Sequence, residues 1–307
     1  WAKRAFFSDN GSTAVEVALK IAFRKSFGIP KKDKVTAKTN IYVLGLKDSY
    51  HGDTHAAMDM TNPNSFKDND YWYDPKGFWL DYPTVYLKDR KYIVSIPDTF
   101  NFSGFKELNV NSVEDVFLLK RDSSDLANIY LAYIENQMFN LESSDFLIGA
   151  LLLEPVVHGA GGMKFVDPLF QKILIKECRK RKIPIIFDEV FTGFWRLGKI
   201  SASAMLDEKP DIACYAKLLT GGLLPMSVTL ASEDCFQAFV GDSLSSALLH
   251  GHSYAANPVG CAVAVEAIDE TGDSRNFNKE LNYLVIPWDD ELIKDFSCLP
   301  NVDKVFT

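Results

Sequence analysis

Residues 150 to 188 constrain the fold more than any other part of the 307-residue chain. Ala150-Leu151-Leu152-Leu153 is a continuous apolar run closed by Glu154-Pro155, the pattern of a strand covered by helices on both faces. Asp167-Pro168 then offers a helix cap followed by proline at the first helical position. Phe170, Ile173, Leu174 and Cys178 follow at helical spacing, with only Glu177 out of character, and Arg179-Lys180-Arg181-Lys182 fill the last turn, where positive charge complements the helix dipole. Ile183 to Phe187 is the next apolar strand. The segment is therefore a βαβ unit, and its second strand delivers Asp188 and Glu189 to the carboxyl edge, where open α/β sheets bind their ligands.

Three further segments extend the pattern to an α/β chain with a mostly parallel sheet and helices on both faces: Ile41 to Leu44, Ile212 to Tyr215 and Ser227 to Ala231. Polar or glycine residues flank each of them, as in Asp48-Ser-Tyr-His-Gly52, Ala216-Lys217 and Gly221-Gly222. Residues 61 to 125 are rich in Asn, Asp, Pro and aromatics with weak periodicity, and read as a long insertion within a large domain spanning 1–271. From 272 to 307 the chain reads as the start of a smaller C-terminal α+β domain, cut short, with a helix near Leu284 to Phe296 and a strand from Val302 to Phe306.

Composition narrows the function classes. A net charge of −8 with dispersed basic residues argues against nucleic-acid binding. No apolar run is long enough for a membrane span. Five cysteines without a Cys-x-x-Cys pair suit neither a disulfide framework nor a zinc knuckle. The opening Trp1-Ala-Lys-Arg is neither an initiator Met nor a signal peptide, so the chain is expected to begin part-way through a longer polypeptide.

The candidate chemistry lies at the ends of elements. Asn10-Gly11-Ser12-Thr13 fronts an amphipathic run from Ala14 to Phe23, which suits either ordinary capping or a phosphate held on free backbone N–H groups. Lys217 follows an apolar strand and precedes Leu-Leu-Thr-Gly-Gly; it is either a snorkelling strand-end lysine or an amine placed for Schiff-base chemistry. Asp188 is either a loop acid or the partner of a cationic ring nitrogen. His51 with His55, and His250 with His252, raise a metal site, but no further ligands stand at suitable spacing. A cofactor bearing a phosphate, an aldehyde and a pyridine nitrogen would use the anion cradle, the lysine and the acid together.

These residues resemble the motifs of the class III, or ornithine-type, pyridoxal phosphate aminotransferases of fold type I. The matching stretches are Asn10 to Glu16, Ser49-Tyr50-His51-Gly52-Asp53, Leu153-Glu154-Pro155 with Gly161-Gly162, Phe187 to Gly198, Ala216 to Gly222, and Gly251 to Pro258; Lys217 follows Asp188 by 29 residues. Within that family, His158 to Met163, Phe191 to Gly198, Leu249 to Tyr254 and the aromatic stretch Gly77 to Val85 are similar to the diaminopelargonate aminotransferases of biotin synthesis, especially the eukaryotic form fused behind dethiobiotin synthetase.

The resemblance implies pyridoxal 5′-phosphate as cofactor, with Lys217 forming the internal aldimine and moving the proton between donor Cα and cofactor, and Asp188 holding the pyridine N–H. It implies that Tyr50 and Val190 cover the two ring faces, that Gly11, Ser12 and Thr13 bind the phosphate, and that Ser253 reaches it from a neighbouring subunit, so that a homodimer shares its active sites. His51 and Glu154 join the cofactor site, Glu154 as an orienting group. Tyr50, Asp53, Arg196, Lys217 and Gly251 are placed toward substrate, Asp53 and Arg196 as a charged pair. The implied substrates are the amino donor S-adenosylmethionine and the keto acid 7-keto-8-aminopelargonate, and the implied compartment is the mitochondrion. The family's N-terminal substrate-contacting segment and C-terminal arginine have no counterpart here. Two alternatives remain at this point: an ornithine or γ-aminobutyrate type ω-amino-acid transaminase, and a scaffold that kept the fold without catalysis.

Overall fold

The computed structural model describes residues 1–28, 40–63, 71–101, 104–142, 146–272, 277–278, 283–284 and 289–306. In chain order its strands are β1 Ala2–Ser8, β2 Ile41–Leu46, β3 Gly77–Leu80, β4 Thr84–Lys88, β5 Lys91–Ser95, β6 Glu107–Val110, β7 Leu147–Leu153, β8 Val157–His158, β9 Lys164–Val166, β10 Ile185–Asp188, β11 Ile212–Tyr215, β12 Ser227–Ser232, β13 Phe277–Asn278 and β14 Tyr283–Leu284. The helices are α1 Gly11–Phe27, α2 His55–Asp59, α3 Asp125–Glu142, α4 Pro168–Lys180, α5 Ala202–Leu206, α6 Glu233–Gln237, α7 Pro258–Thr271 and α8 Asp290–Phe296.

Seven strands form the main sheet in the order β1-β12-β11-β10-β7-β2-β3. The run from β11 to β3 is parallel throughout, while β12 pairs antiparallel with both β11 and β1. The α/β fold with a mostly parallel sheet is thus present. The expected βαβ unit is its centre, with Asp167 capping α4 by accepting from Leu169 N–H.

Side-chain alternation along the strands divides the core between two layers. Ala150 and Leu152 of β7, Ile186 of β10 and Cys214 of β11 pack with Ala14, Val15 and Ala18 of α1. Leu151, Leu153, Ile185, Phe187 and Ala213 pack on the opposite face with Tyr130 and Ile134 of α3 and Phe170 and Leu174 of α4. The same period of two continues past the apolar residues. It sends Glu154 and Asp188 to the α1 face at the carboxyl ends of neighbouring strands, and turns Glu189 to the other side, where Tyr215 donates to it at 3.1 Å.

Residues 61–125 are more structured than their weak periodicity suggests. They supply β3 at the edge of the main sheet, and β4, β5 and β6 of a second, five-stranded sheet completed by β9 and β8. Their helical turn at Leu119–Ser123 carries Arg121, which grips Asp167 through two bonds of 2.7 Å. The helix expected near Leu284 to Phe296 is shorter, beginning at Asp290, and part of its predicted length (285–288) lies outside the described residues. In place of a strand from Val302 to Phe306 there is a single bridge between Val305 and Leu87. Ser297 accepts from Asp89 and Arg90 amides, so this C-terminal segment docks on the β4–β5 hairpin.

Candidate active site

Helix α1 begins at Gly11, one turn earlier than its apolar run, because Asn10 caps it: the Asn10 side chain accepts from Thr13 N–H at 2.9 Å. The first-turn N–H groups have no acceptor within a helix. Gly11 and Ser12 line a cavity of about 460 Å³ together with Tyr50, His51, Gly52, Asp53, Glu154, Asp188, Val190, Phe191 and Lys217, a volume suited to a small-molecule cofactor.

Space around the helix start is set by glycine. A Cβ on Gly11 would stand 2.6 Å from Val190 Cγ1, and one on Gly52, at φ +128°, would overlap the Ser12 side chain. Ser12 Oγ is held by the Thr54 amide at 3.0 Å and the Thr54 hydroxyl at 2.7 Å. Val190 N–H in turn donates to Asp188 Oδ1 at 3.1 Å, so the helix start, the valine and the acid form one wall.

Behind that wall Asp188 and His51 are both buried, with His51 Nδ1 2.8 Å from Asp188 Oδ2. Glu154 is buried beside them and accepts from Tyr50 N–H at 3.0 Å and Gly159 N–H at 2.9 Å. Burial pushes its carboxyl up to about 7. It therefore fixes the two backbone segments on either side of the cavity, an orienting position. Tyr50 is half-buried, and burial together with the neighbouring Asp53 carboxylate pushes its phenol up to about 12.

Lys217 leaves β11 in a left-handed conformation, φ +46°, and its Nζ lies 5.4 Å from the centre of the Phe191 ring. Left-handed backbone is uncommon for a residue with a Cβ and concentrates at functional positions. The side chain is exposed to the cavity mouth.

The structure gathers Gly11, Ser12, Tyr50, His51, Asp53, Glu154, Asp188, Val190 and Lys217 around one space. It corrects the expectation of an Asp53–Arg196 charged pair. Arg196 Nε donates to the Phe191 carbonyl at 2.6 Å and its guanidinium stacks 4.5 Å over the Phe191 ring. Thr13 turns its hydroxyl to Asn10 at 3.1 Å and does not line the cavity; Gly251 and Ser253 stand in an exposed loop apart from it. Sequence reasoning missed Thr54 and Ala160, and did not give Phe191 its place under both cations. Nothing in their spacing distinguishes them, since each matters only through a fold contact.

The donor set fits a phosphorylated pyridine: an N-terminal amide cradle that a Cβ would fill, a buried acid for a ring nitrogen, and an amine at the mouth. Comparison with known proteins agrees. The model of the family described as "Aminotransferase class-III" matches residues 2–292. The chain is 47% identical, over 99% of its length, to the mitochondrial bifunctional dethiobiotin synthetase/7,8-diamino-pelargonic acid aminotransferase of Oryza sativa subsp. japonica, and spans 39% of that protein. It is 37% identical over 99% of its length to the bifunctional dethiobiotin synthetase/adenosylmethionine-8-amino-7-oxononanoate aminotransferase of Emericella nidulans, spanning 43% of it. Among solved structures, an amine transaminase from an uncultivated Pseudomonas species, in its PLP-bound internal aldimine form, superposes with a TM-score of 0.66 at 26% identity, over 88% of this chain and 53% of that one. The chain thus covers about half or less of each of these proteins, and it belongs to the class III aminotransferase family.

Proposed function

We propose that the protein containing this chain is a pyridoxal phosphate-dependent aminotransferase of biotin biosynthesis, moving an amino group from S-adenosylmethionine to 7-keto-8-aminopelargonate to give 7,8-diaminopelargonate. The observation that carries the reading is the convergence of Asp188, Lys217 and the start of α1 on one cavity, in a chain so similar to the rice bifunctional enzyme. Dethiobiotin synthetase fused upstream and a mitochondrial location belong to the same proposal, as does a homodimer in which Ser253 completes the neighbour's phosphate site.

Bound in this cavity, pyridoxal phosphate supplies an electron sink for the carbanion formed beside the transferred nitrogen. The amides of Gly11 and Ser12, in the first turn of α1 at the cavity, would hold the phosphate. Asp188, itself fixed by the Val190 amide and by His51, would keep a proton on the pyridine nitrogen. Val190 and Tyr50, which both line the cavity, would be the side chains that cover the ring. The Lys217 amine, standing over Phe191 beside the cavity, would hold the cofactor's aldehyde and would serve as the base that moves the proton at donor Cα. Glu154 keeps Tyr50 and Gly159 at a fixed separation through its two oxygens, and Phe191, which lines the cavity, carries the Arg196 guanidinium over its ring.

The test is an amino-transfer assay on the intact protein loaded with pyridoxal phosphate. Product formed from S-adenosylmethionine and 7-keto-8-aminopelargonate, and abolished in Lys217→Ala, is expected. Transfer from ornithine or γ-aminobutyrate with none from S-adenosylmethionine would overturn the substrate assignment. A protein that acquires no visible absorption with pyridoxal phosphate would overturn the cofactor assignment and favour the scaffold alternative.

A further inference from the structure

Lys217 and Arg196 meet on one aromatic ring. The Lys217 Nζ stands 5.4 Å from the centre of the Phe191 ring and the Arg196 guanidinium 4.5 Å from it, both within the distance at which a ring face attracts a cation. The ring is itself pinned. A Cβ on Gly159 would lie 2.9 Å from Phe191 Cγ, so bare glycine backbone is what lets the root of this side chain pack there. Gly159 is held in turn by Glu154, which accepts from its N–H at 2.9 Å. The Phe191 carbonyl accepts from Arg196 Nε at 2.6 Å, so the arginine is tied to the same residue twice.

The cavity offers the Lys217 amine stronger partners than a ring. Asp53, Glu154 and Asp188 all line it, and an ammonium on a flexible four-carbon stem is drawn to carboxylates. Among the described residues, however, the amine makes no hydrogen bond and no ion pair, and its contact is the Phe191 ring. Two of the acids are already engaged: Glu154 by the Tyr50 and Gly159 amides, and Asp188 by the Val190 amide and His51. An amine locked against a carboxylate would have to break an ion pair before it could meet an aldehyde. A ring face takes no hydrogen bond from it and holds it by a factor of only about two to five.

We propose that Phe191 is a positioning residue for Lys217: before cofactor binds, its ring holds the amine beside the cavity and off the cavity's carboxylates, free for an incoming aldehyde. The inference rests on Lys217 as the amine that meets the cofactor. It gives that amine a resting place, supplied by the turn that follows β10.

The experiment is proton–carbon NMR of the intact protein carrying ¹³C-labelled lysine, before any pyridoxal phosphate is added. The Lys217 signals are identified as those lost in Lys217→Arg. The circulating electrons of an aromatic ring shift protons above its face to low frequency, so the Lys217 ε-methylene should stand apart from the other lysines. In Phe191→Leu, which stays apolar but has no ring, the signal should return among them; Phe191→Tyr, which keeps the face, should restore the shift. Pyridoxal phosphate is then added and the growth of its visible absorption on the protein is timed. The second-order rate should fall roughly three-fold in Phe191→Leu and recover in Phe191→Tyr. A Lys217 methylene that coincides with the other lysines in the unmutated protein would overturn the proposal, as would a signal or a rate unchanged in folded Phe191→Leu. Should that variant fail to fold, Phe191→Met, which fills similar space without a face, is read in its place. A shifted methylene in a protein that gains no absorption with pyridoxal phosphate would instead overturn the cofactor reading, a result distinct from failure of the ring contact.

Discussion

Replacing Asp167 by Ala should be among the most damaging single changes outside the cavity. Asp167 is wholly buried, and its two oxygens accept from both arms of Arg121, from the Tyr130 hydroxyl at 2.9 Å and from the Leu169 amide at 3.0 Å. Losing the helix cap costs about 1 kcal/mol. Leaving the Tyr130 hydroxyl unpaired adds about 1–3 kcal/mol. The largest effect is the guanidinium of Arg121, whose side chain is 11% exposed, left without its counter-charge at about 3–5 kcal/mol. These losses share partners and do not add in full. Since Arg121 keeps its bond to the Val116 carbonyl, we expect a net loss of about 4 kcal/mol and a fall in Tm of roughly 5–10 °C. Urea unfolding of the intact protein without cofactor, followed by tryptophan fluorescence, measures it. A double-mutant cycle with Arg121→Met isolates the pair, because methionine removes the orphaned charge while filling space. The loss from Asp167→Ala should shrink by at least about 2 kcal/mol when Arg121→Met is already present. A cost below about 1 kcal/mol, or equal costs in the two backgrounds, would refute the idea that this ion pair ties the 119–123 turn to α4.

Three further outcomes are expected. Gly52→Ala forces a Cβ against Ser12 at a left-handed backbone position, so affinity for pyridoxal phosphate, measured by equilibrium dialysis, should drop at least roughly ten-fold while the fold survives. His158, wholly buried, takes up its proton near 6.5 when unfolded but near 3 when folded, because burial disfavours its charged form; its contribution is thus complete above pH 6.5 and lost as pH falls toward 3, up to about 5 kcal/mol. Urea midpoints for His158→Gln should accordingly fall less steeply between pH 7 and pH 4 than those of the unmutated protein, and parallel slopes would contradict this. Lys217→Gly should be more stable than Lys217→Ala by about 1 kcal/mol, because only glycine adopts the left-handed backbone without cost; both variants should be inactive, and calorimetry showing no difference would remove the argument for strain at this position.

The sheet and the site were legible to different degrees, for different physical reasons. Strands β7, β10 and β11 announce themselves because burial on both faces demands uninterrupted apolar residues; Asp188 is the last residue of β10, and Lys217 comes two residues after the end of β11. Strand β1 was not foreseen. Its burial is partial along most of its length, so its residues carry little pattern. Strands β4, β5 and β6 pair locally and have buried centres in β4 and β5, but at four or five residues each they are too short for a period of two to stand out, and β8 and β9, which complete their sheet, arrive from far along the chain. The Asp53–Arg196 expectation failed because Arg196 finds an acceptor and an aromatic face only five residues away, a local solution that spacing between distant motifs does not reveal. Phe191 lay inside a quoted motif without being given a task, since its contact with two cations is a property of the folded chain alone.

The alternation that aims Asp188 at α1 and Glu189 at Tyr215 has a consequence for how this chain can change over evolutionary time. Adding or deleting one residue within Ile185–Asp188 would exchange the two acids between faces. Asp188 would lose its contacts with His51 and the Val190 amide, and Glu189 those with Tyr215 and Ser201. Substitutions in β10 can be absorbed singly, whereas changes of length can be absorbed only in pairs or outside the strand. Length variation among relatives should therefore fall in the loops flanking this strand, a pattern that an alignment would test directly.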